Sequence, residues 1–194
     1  ENGTWVGNSE NFIEQFLNSA FEGVSNRENK NTRCNYNLSD LLKKLEIHRK
    51  EGRDSFVIMA HVEQDCGFCK ELEGGRIEQI AKDEHFKRNV LAFQKLRTND
   101  LKERLTIWFG NEKELPAFVE GSDCKNIDEI GNCGKQKNEN GDEIVKETYV
   151  KIGDYNFEAI KYSLIDKENR ISTRKPEIKN AFIKSMAFEG GLLD

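Results

Sequence analysis

Two cysteines separated by two residues, Cys66-Gly-Phe-Cys69, follow closely on a short apolar run that ends in a histidine, Ile58-Met-Ala-His61. A C-x-x-C just after a strand suits a thioredoxin-like thiol oxidoreductase, where a helix N-terminus lowers the pKa of the first thiol. Pro116, ahead of a later apolar run, is the candidate for the cis-proline of such a fold. Two details fit less well. Gly74-Gly75 interrupts the helix that should follow the motif, and a long polar loop lies beyond Asp123 where thioredoxin continues with a hairpin. The plainer reading is a pair of reduced cysteines in a loop. Cys66, Cys69, Cys124 and Cys133 also offer four thiolates for zinc, although Cys124 and Cys133 are widely spaced for a zinc knuckle.

The three histidines differ in setting. His48, among Arg49, Lys50 and Glu51, reads as a solvated helix residue, and His85 in Asp83-Glu-His-Phe86 as a local cap or pair. His61 ends an apolar strand, where its imidazole is partly desolvated, and Asp123 ends another apolar run in the same sense. Neutral imidazole and carboxylate are ligands for a divalent metal, with structural hydrogen bonding as the competing reading. Gly131-Asn-Cys-Gly-Lys135 has neither the spacing nor the Ser or Thr of a phosphate loop, and reads as a polar turn.

These residues need elements to position them. Ser9 can cap a helix with Phe12, Ile13, Phe16, Leu17, Ala20 and Val24 on one face. Residues 26–37 form a polar, Asn-rich loop. A second helix over 39–51 carries Leu41, Leu42 and Leu45 and ends at Gly52. Residues 1–54 are thus a helical lead-in. From residue 55 short apolar runs alternate with helical patterns. Strands are expected at 56–60, 90–93, 116–119, 148–152 and 181–188, the first two buried on both faces. Helices are expected over 76–82, from Asn99 to a stop at Gly110, and around Phe157, Ile160 and Leu164, with a loop over 131–143. This alternation predicts an α/β fold with mostly parallel strands, whose sites gather at the carboxyl ends of the strands.

Composition bounds the rest. The 194 residues suit one domain, and Leu, Ile, Val and Phe make up about a quarter of them, enough for a modest core. The net charge of −5 argues against broad electrostatic binding of nucleic acid. No run approaches the ~20 apolar residues of a membrane span. An odd number of cysteines and no visible signal peptide favour the reducing cytoplasm. The chain starts at Glu1 without Met, and both ends are expected to be cut from a longer protein.

Seven segments occur in order: Phe56-Val-Ile-Met-Ala-His61, Gly74-Gly-Arg76, Leu115-Pro-Ala-Phe-Val-Glu-Gly-Ser-Asp123, Ile127-Asp-Glu-Ile-Gly131, Tyr149-Val-Lys-Ile-Gly153, Phe157-Glu-Ala-Ile-Lys-Tyr162 and Ile183-Lys-Ser-Met-Ala-Phe-Glu-Gly-Gly191. This succession, over about residues 55–194, resembles the later part of a polymerase-and-histidinol-phosphatase (PHP) domain. More narrowly it resembles the PHP-related region at the front of SMC/RecF-like ATPases, proteins linked to DNA repair or defence. The resemblance implies a distorted β/α barrel, present here in part, with a cluster of divalent metals (Mn, Zn or Mg) that hydrolyses phosphoesters. It implies His61 and Asp123 as metal ligands. It also implies a C-terminal ATPase domain of the parent protein as partner, and nucleic acid through that parent.

Two departures matter. Gly121-Ser-Asp-Cys-Lys125 carries Lys125 where the family has a ligand histidine, and an ammonium has no lone pair for a metal. The His-x-His that opens a PHP domain is absent. The resemblance then implies either ligands upstream or a degenerate site of weak or no activity. In the second case Lys125 would bind phosphate directly, and the region would act as a non-catalytic scaffold for the ATPase.

Overall fold

The computed structural model describes residues 4–29, 31–72, 74–96, 99–121, 124, 126–137, 141, 143–176 and 185. The chain divides into two units, Glu1–Pro116 and Ala117–Asp194. It is mixed α/β, with a three-stranded parallel sheet.

Helix α1 (Thr4–Ala20) opens the first unit. It starts ahead of Ser9, which lies inside it and does not cap it. Of the expected apolar face only Ala20 is buried, while Phe12 and Ile13 stay exposed. Arg53 covers the Phe12 ring at 4.5 Å, and Phe16 meets the His48 ring edge-on at 5.7 Å. The Asn-rich segment folds on its own side chains: the Asn29 carboxamide accepts from Asn31 N, and Thr32 Oγ donates to the Asn26 carbonyl.

Helix α2 (Leu38–Lys50) has clear signals at both ends. The Asn37 side chain accepts from Asp40 N at the start. At the finish Gly52 takes φ +82, its N–H reaches Arg49 O, and Arg53 N–H reaches His48 O. That is the Schellman arrangement, which needs a left-handed residue where glycine stands. Glu46, almost fully buried, joins α2 to a later helix through Arg88 at 3.0 Å and also pairs with Arg49.

Next come β1 (Val57–Met59), α3 (Phe68–Glu71), α4 (Gly74–Ala81), α5 (Glu84–Asn89), β2 (Val90–Gln94) and α6 (Asn99–Phe109). The sheet order is β1-β2-β3, with β3 at Ala117–Val119, and β1 runs parallel to β2. β2 is central and buried along Val90, Leu91, Ala92 and Phe93. β1 is not buried on both faces as its apolar run suggests. It is an edge strand, and Ile58 remains 47% exposed. A continuous apolar run cannot tell an edge strand from a central one.

The core of the first unit is aromatic. Phe68, Phe86, Phe93 and Phe109 pack with ring centroids 5.5 to 6.3 Å apart. Each such pair adds about 0.5–1.5 kcal/mol beyond area burial. Ile77 from α4 and Leu105 from α6 are fully buried beside them. Trp108 lies so close to Gly74 that a Cβ there would sit 3.0 Å from the indole. Glycine at that position lets α4 approach α6, and Arg104 stacks over the same ring at 5.9 Å.

The second unit departs from the parallel expectation. β4 (Lys135–Lys137) lies inside the segment 131–143 read as a loop and pairs antiparallel with β5 (Glu143–Val145), which begins at its last residue. β6 (Tyr149–Val150) pairs antiparallel with β7 (Ile171–Ser172), around α7 (Phe157–Ile165) and α8 (Lys167–Arg170). Among the described residues no barrel closes, because these strands are short and form separate pairs. The strand expected at 181–188 lies outside the described residues, Ser185 apart.

Candidate functional site

The turn that leaves β1 concentrates the unusual backbone of the first unit. His61 has φ +52 and Cys66 φ +64, two of three non-glycine residues with positive φ among those described. Each such residue costs on the order of 1–3 kcal/mol and persists only where its surroundings hold it. Here the sequence supplies the hold. Val62 and Phe68 are buried and pin both sides of the turn to the core. His61 N–H donates to Gln94 Oε1 at 2.6 Å, tying the turn to the end of β2. Gln64 N–H donates to His61 O, Gly67 N–H to Gln64 O, and Cys69 N–H to Val62 O, at 2.8 to 3.0 Å. A Cβ on Gly67 would come within 2.1 Å of His61 O and 2.9 Å of Val62 O, so only glycine fits there.

His61, Gln64, Asp65 and Cys66 are left exposed at the carboxyl end of a parallel strand. This is where the sequence directs attention, and His61 presents an accessible imidazole. Asp123 and Lys125 lie outside the described residues. Among the described residues no three His, Cys, Asp or Glu side chains gather as a group that could hold a metal ion. Of the two expected ligands only His61 is described, and the described residues do not compose the donor set of a two- or three-metal cluster.

All five cysteines are free. Among the described residues no cysteine belongs to a group that could hold a metal ion. Cys66 is exposed and Cys69 half-buried. Cys66 stands before the helix cap, which is Gly67, and α3 is a single four-residue turn. Burial and the Glu63 carboxylate push the Cys69 thiol up to about 11, with Arg104 opposing in part. α3 ends before extended Leu72, and Gly74-Gly75 do not interrupt a helix as expected but open α4. No cis peptide bond occurs among the described residues, Pro116 included.

Sequence reasoning missed Gln94 and Gly67, the two residues that shape the turn. A polar residue closing the apolar run 90–93 was the available signal for Gln94. It also missed a cleft of about 390 Å³ between α2, α4 and α5, floored by Leu42 and Phe86 and rimmed by Ser39, Arg76, Gln79 and Asp83. No helix among the described residues is long and apolar enough to cross a membrane. In comparisons with known proteins, no family model, no curated protein and no solved structure matches this chain.

Proposed function

We propose that this chain is a PHP-like region of an SMC/RecF-like ATPase whose ancestral metal-dependent phosphoesterase chemistry is degenerate. The observation that supports this best is the exposed His61 imidazole, held at the carboxyl end of β1 by a turn bonded to Gln94. That is where a parallel α/β sheet places its ligands. A bound Mn, Zn or Mg ion would supply Lewis acidity and an activated water. This chain's part is to present the imidazole, and one ligand alone does not build a hydrolytic centre. The setting is the cytoplasm, with the ATPase domain as partner and nucleic acid reached through the parent protein.

The test is metal titration with Mn²⁺ and Zn²⁺ on the purified chain, alongside phosphomonoester hydrolysis. Weak metal uptake that disappears in His61→Ala, with turnover near background, is the expected result. Metal uptake unchanged in His61→Ala and Asp123→Ala would overturn the ligand assignment. Phosphate binding unchanged in Lys125→Ala would remove that residue's role.

The non-catalytic scaffold is a second reading, supported by the surface of α7 and its approach. Tyr155, Tyr162 and Ile165 are more than half exposed there, and exposed apolar groups of this kind mark interaction surfaces. Retention of the ATPase domain on this chain, lost in Tyr155→Ser/Tyr162→Ser, is the outcome that reading requires.

A further inference from the structure

The turn after β1 holds two nucleophilic groups that phosphoester chemistry leaves unused, Cys66 and Cys69. Both are free thiols, one exposed and one half-buried. Two points of the backbone between them are fixed. Gly67 is enclosed by the carbonyls of His61, Val62 and Gln64, and Cys69 N–H is fixed on Val62 O at 2.9 Å. Cys66 is held in a left-handed conformation that glycine or asparagine adopts more readily.

We propose that Cys66 and Cys69 form a reversible disulfide when the protein meets a low-molecular-weight disulfide such as oxidised glutathione, making the turn that follows His61 a redox-modified clasp. The exposed Cys66 gives up its proton and attacks one sulfur of the glutathione disulfide. That S–S bond breaks, and one glutathione leaves as a thiolate that takes up the proton. Cys69 then loses its proton and attacks the Cys66 sulfur of the mixed disulfide. The second glutathione leaves and is protonated in turn. Two protein thiols are oxidised to one disulfide, and one glutathione disulfide is reduced to two thiols.

Cys66 is open to solvent and is the thiol that meets the glutathione disulfide first. Burial and the Glu63 carboxylate push the half-buried Cys69 thiol up to about 11, which suits it to the second, intramolecular attack.

The experiment treats the whole chain with oxidised glutathione near pH ~8, alkylates the remaining thiols and maps peptides by mass spectrometry. In the wild type, a peptide linked by a Cys66–Cys69 disulfide is expected, while Cys34, Cys124 and Cys133 carry the alkyl label or a glutathione adduct and no protein disulfide. Cys69→Ser is expected to accumulate a glutathione adduct on Cys66. A wild-type adduct on Cys66 that persists like that of the variant overturns the proposal. So does a disulfide from Cys66 to Cys124, Cys133 or a second molecule. The wild-type result decides by itself if the variant does not fold.

Discussion

The two units distribute their apolar residues differently. Fifteen of the seventeen buried apolar residues described belong to residues 1–116, and two, Ala117 and Leu164, to the second unit. Nine of the fourteen large apolar residues left exposed belong to the second unit. Burial supplies roughly 25 cal/mol per Å² of apolar surface, so the first unit rests on its core. The second rests more on polar bonds. The Asn156 side chain caps α7 through Ala159 N–H, Thr148 Oγ accepts from Glu120 N–H, and Arg170 pairs with Asp166. A rigid core can hold a strained turn in place, and the candidate site sits on the unit that has one.

The comparison can be broken most directly at Phe93. Phe93→Ala empties the centre of the aromatic cluster and should cost about 3–5 kcal/mol in urea unfolding. A loss under about 1 kcal/mol would mean that the core does not carry the first unit. Gly67→Ala is expected to cost about 1–3 kcal/mol, because the new methyl meets the His61 carbonyl. An unchanged urea midpoint there would show that the turn is not locked.

A smaller effect sharpens the electrostatic side. Burial pushes the Glu46 carboxyl up, but hydrogen bonds and charge from Arg49 and Arg88 outweigh it, and the net shift is below the usual value of 4.5. A depressed carboxylate contributes stability above its unfolded pKa, and that stability is lost as pH falls through the folded value. The urea midpoint of the wild type should therefore drop below pH ~4.5 more steeply than that of Glu46→Gln. Parallel pH profiles for the two proteins would remove Glu46 from the first unit's framework. The smallest effect belongs to the second unit. Tyr155→Ser, at a side chain 92% exposed, should change stability by less than about 0.5 kcal/mol.

Sequence reading found the first unit well because its signals are local. Gly52 ends α2, Gly110 closes α6, and Val90 to Phe93 is a plain buried strand; the Asn37 cap of α2 reads in sequence as part of the loop before it. It lost the β4–β5 pair, whose strands Lys135-Gln-Lys and Glu143-Ile-Val carry two apolar residues between them and show no alternation. It missed the edge position of β1, since neighbours in a sheet are a long-range property. At the candidate site His61 was legible as a polar residue ending an apolar run. Gln94 was not, because its bond to His61 spans 33 positions. The enclosure of Gly67 depends on three carbonyls whose convergence follows from the turn's shape alone.

The contact between Trp108 and Gly74 has an optical consequence. An indole's emission follows the polarity around it, and this one is seated where α4 and α6 meet. With Trp5 replaced by Phe, Trp108 is the sole tryptophan in the chain. Its fluorescence then reads the joint between those helices directly, giving the first unit an internal gauge of its folding that the second unit, which has no tryptophan, leaves undisturbed.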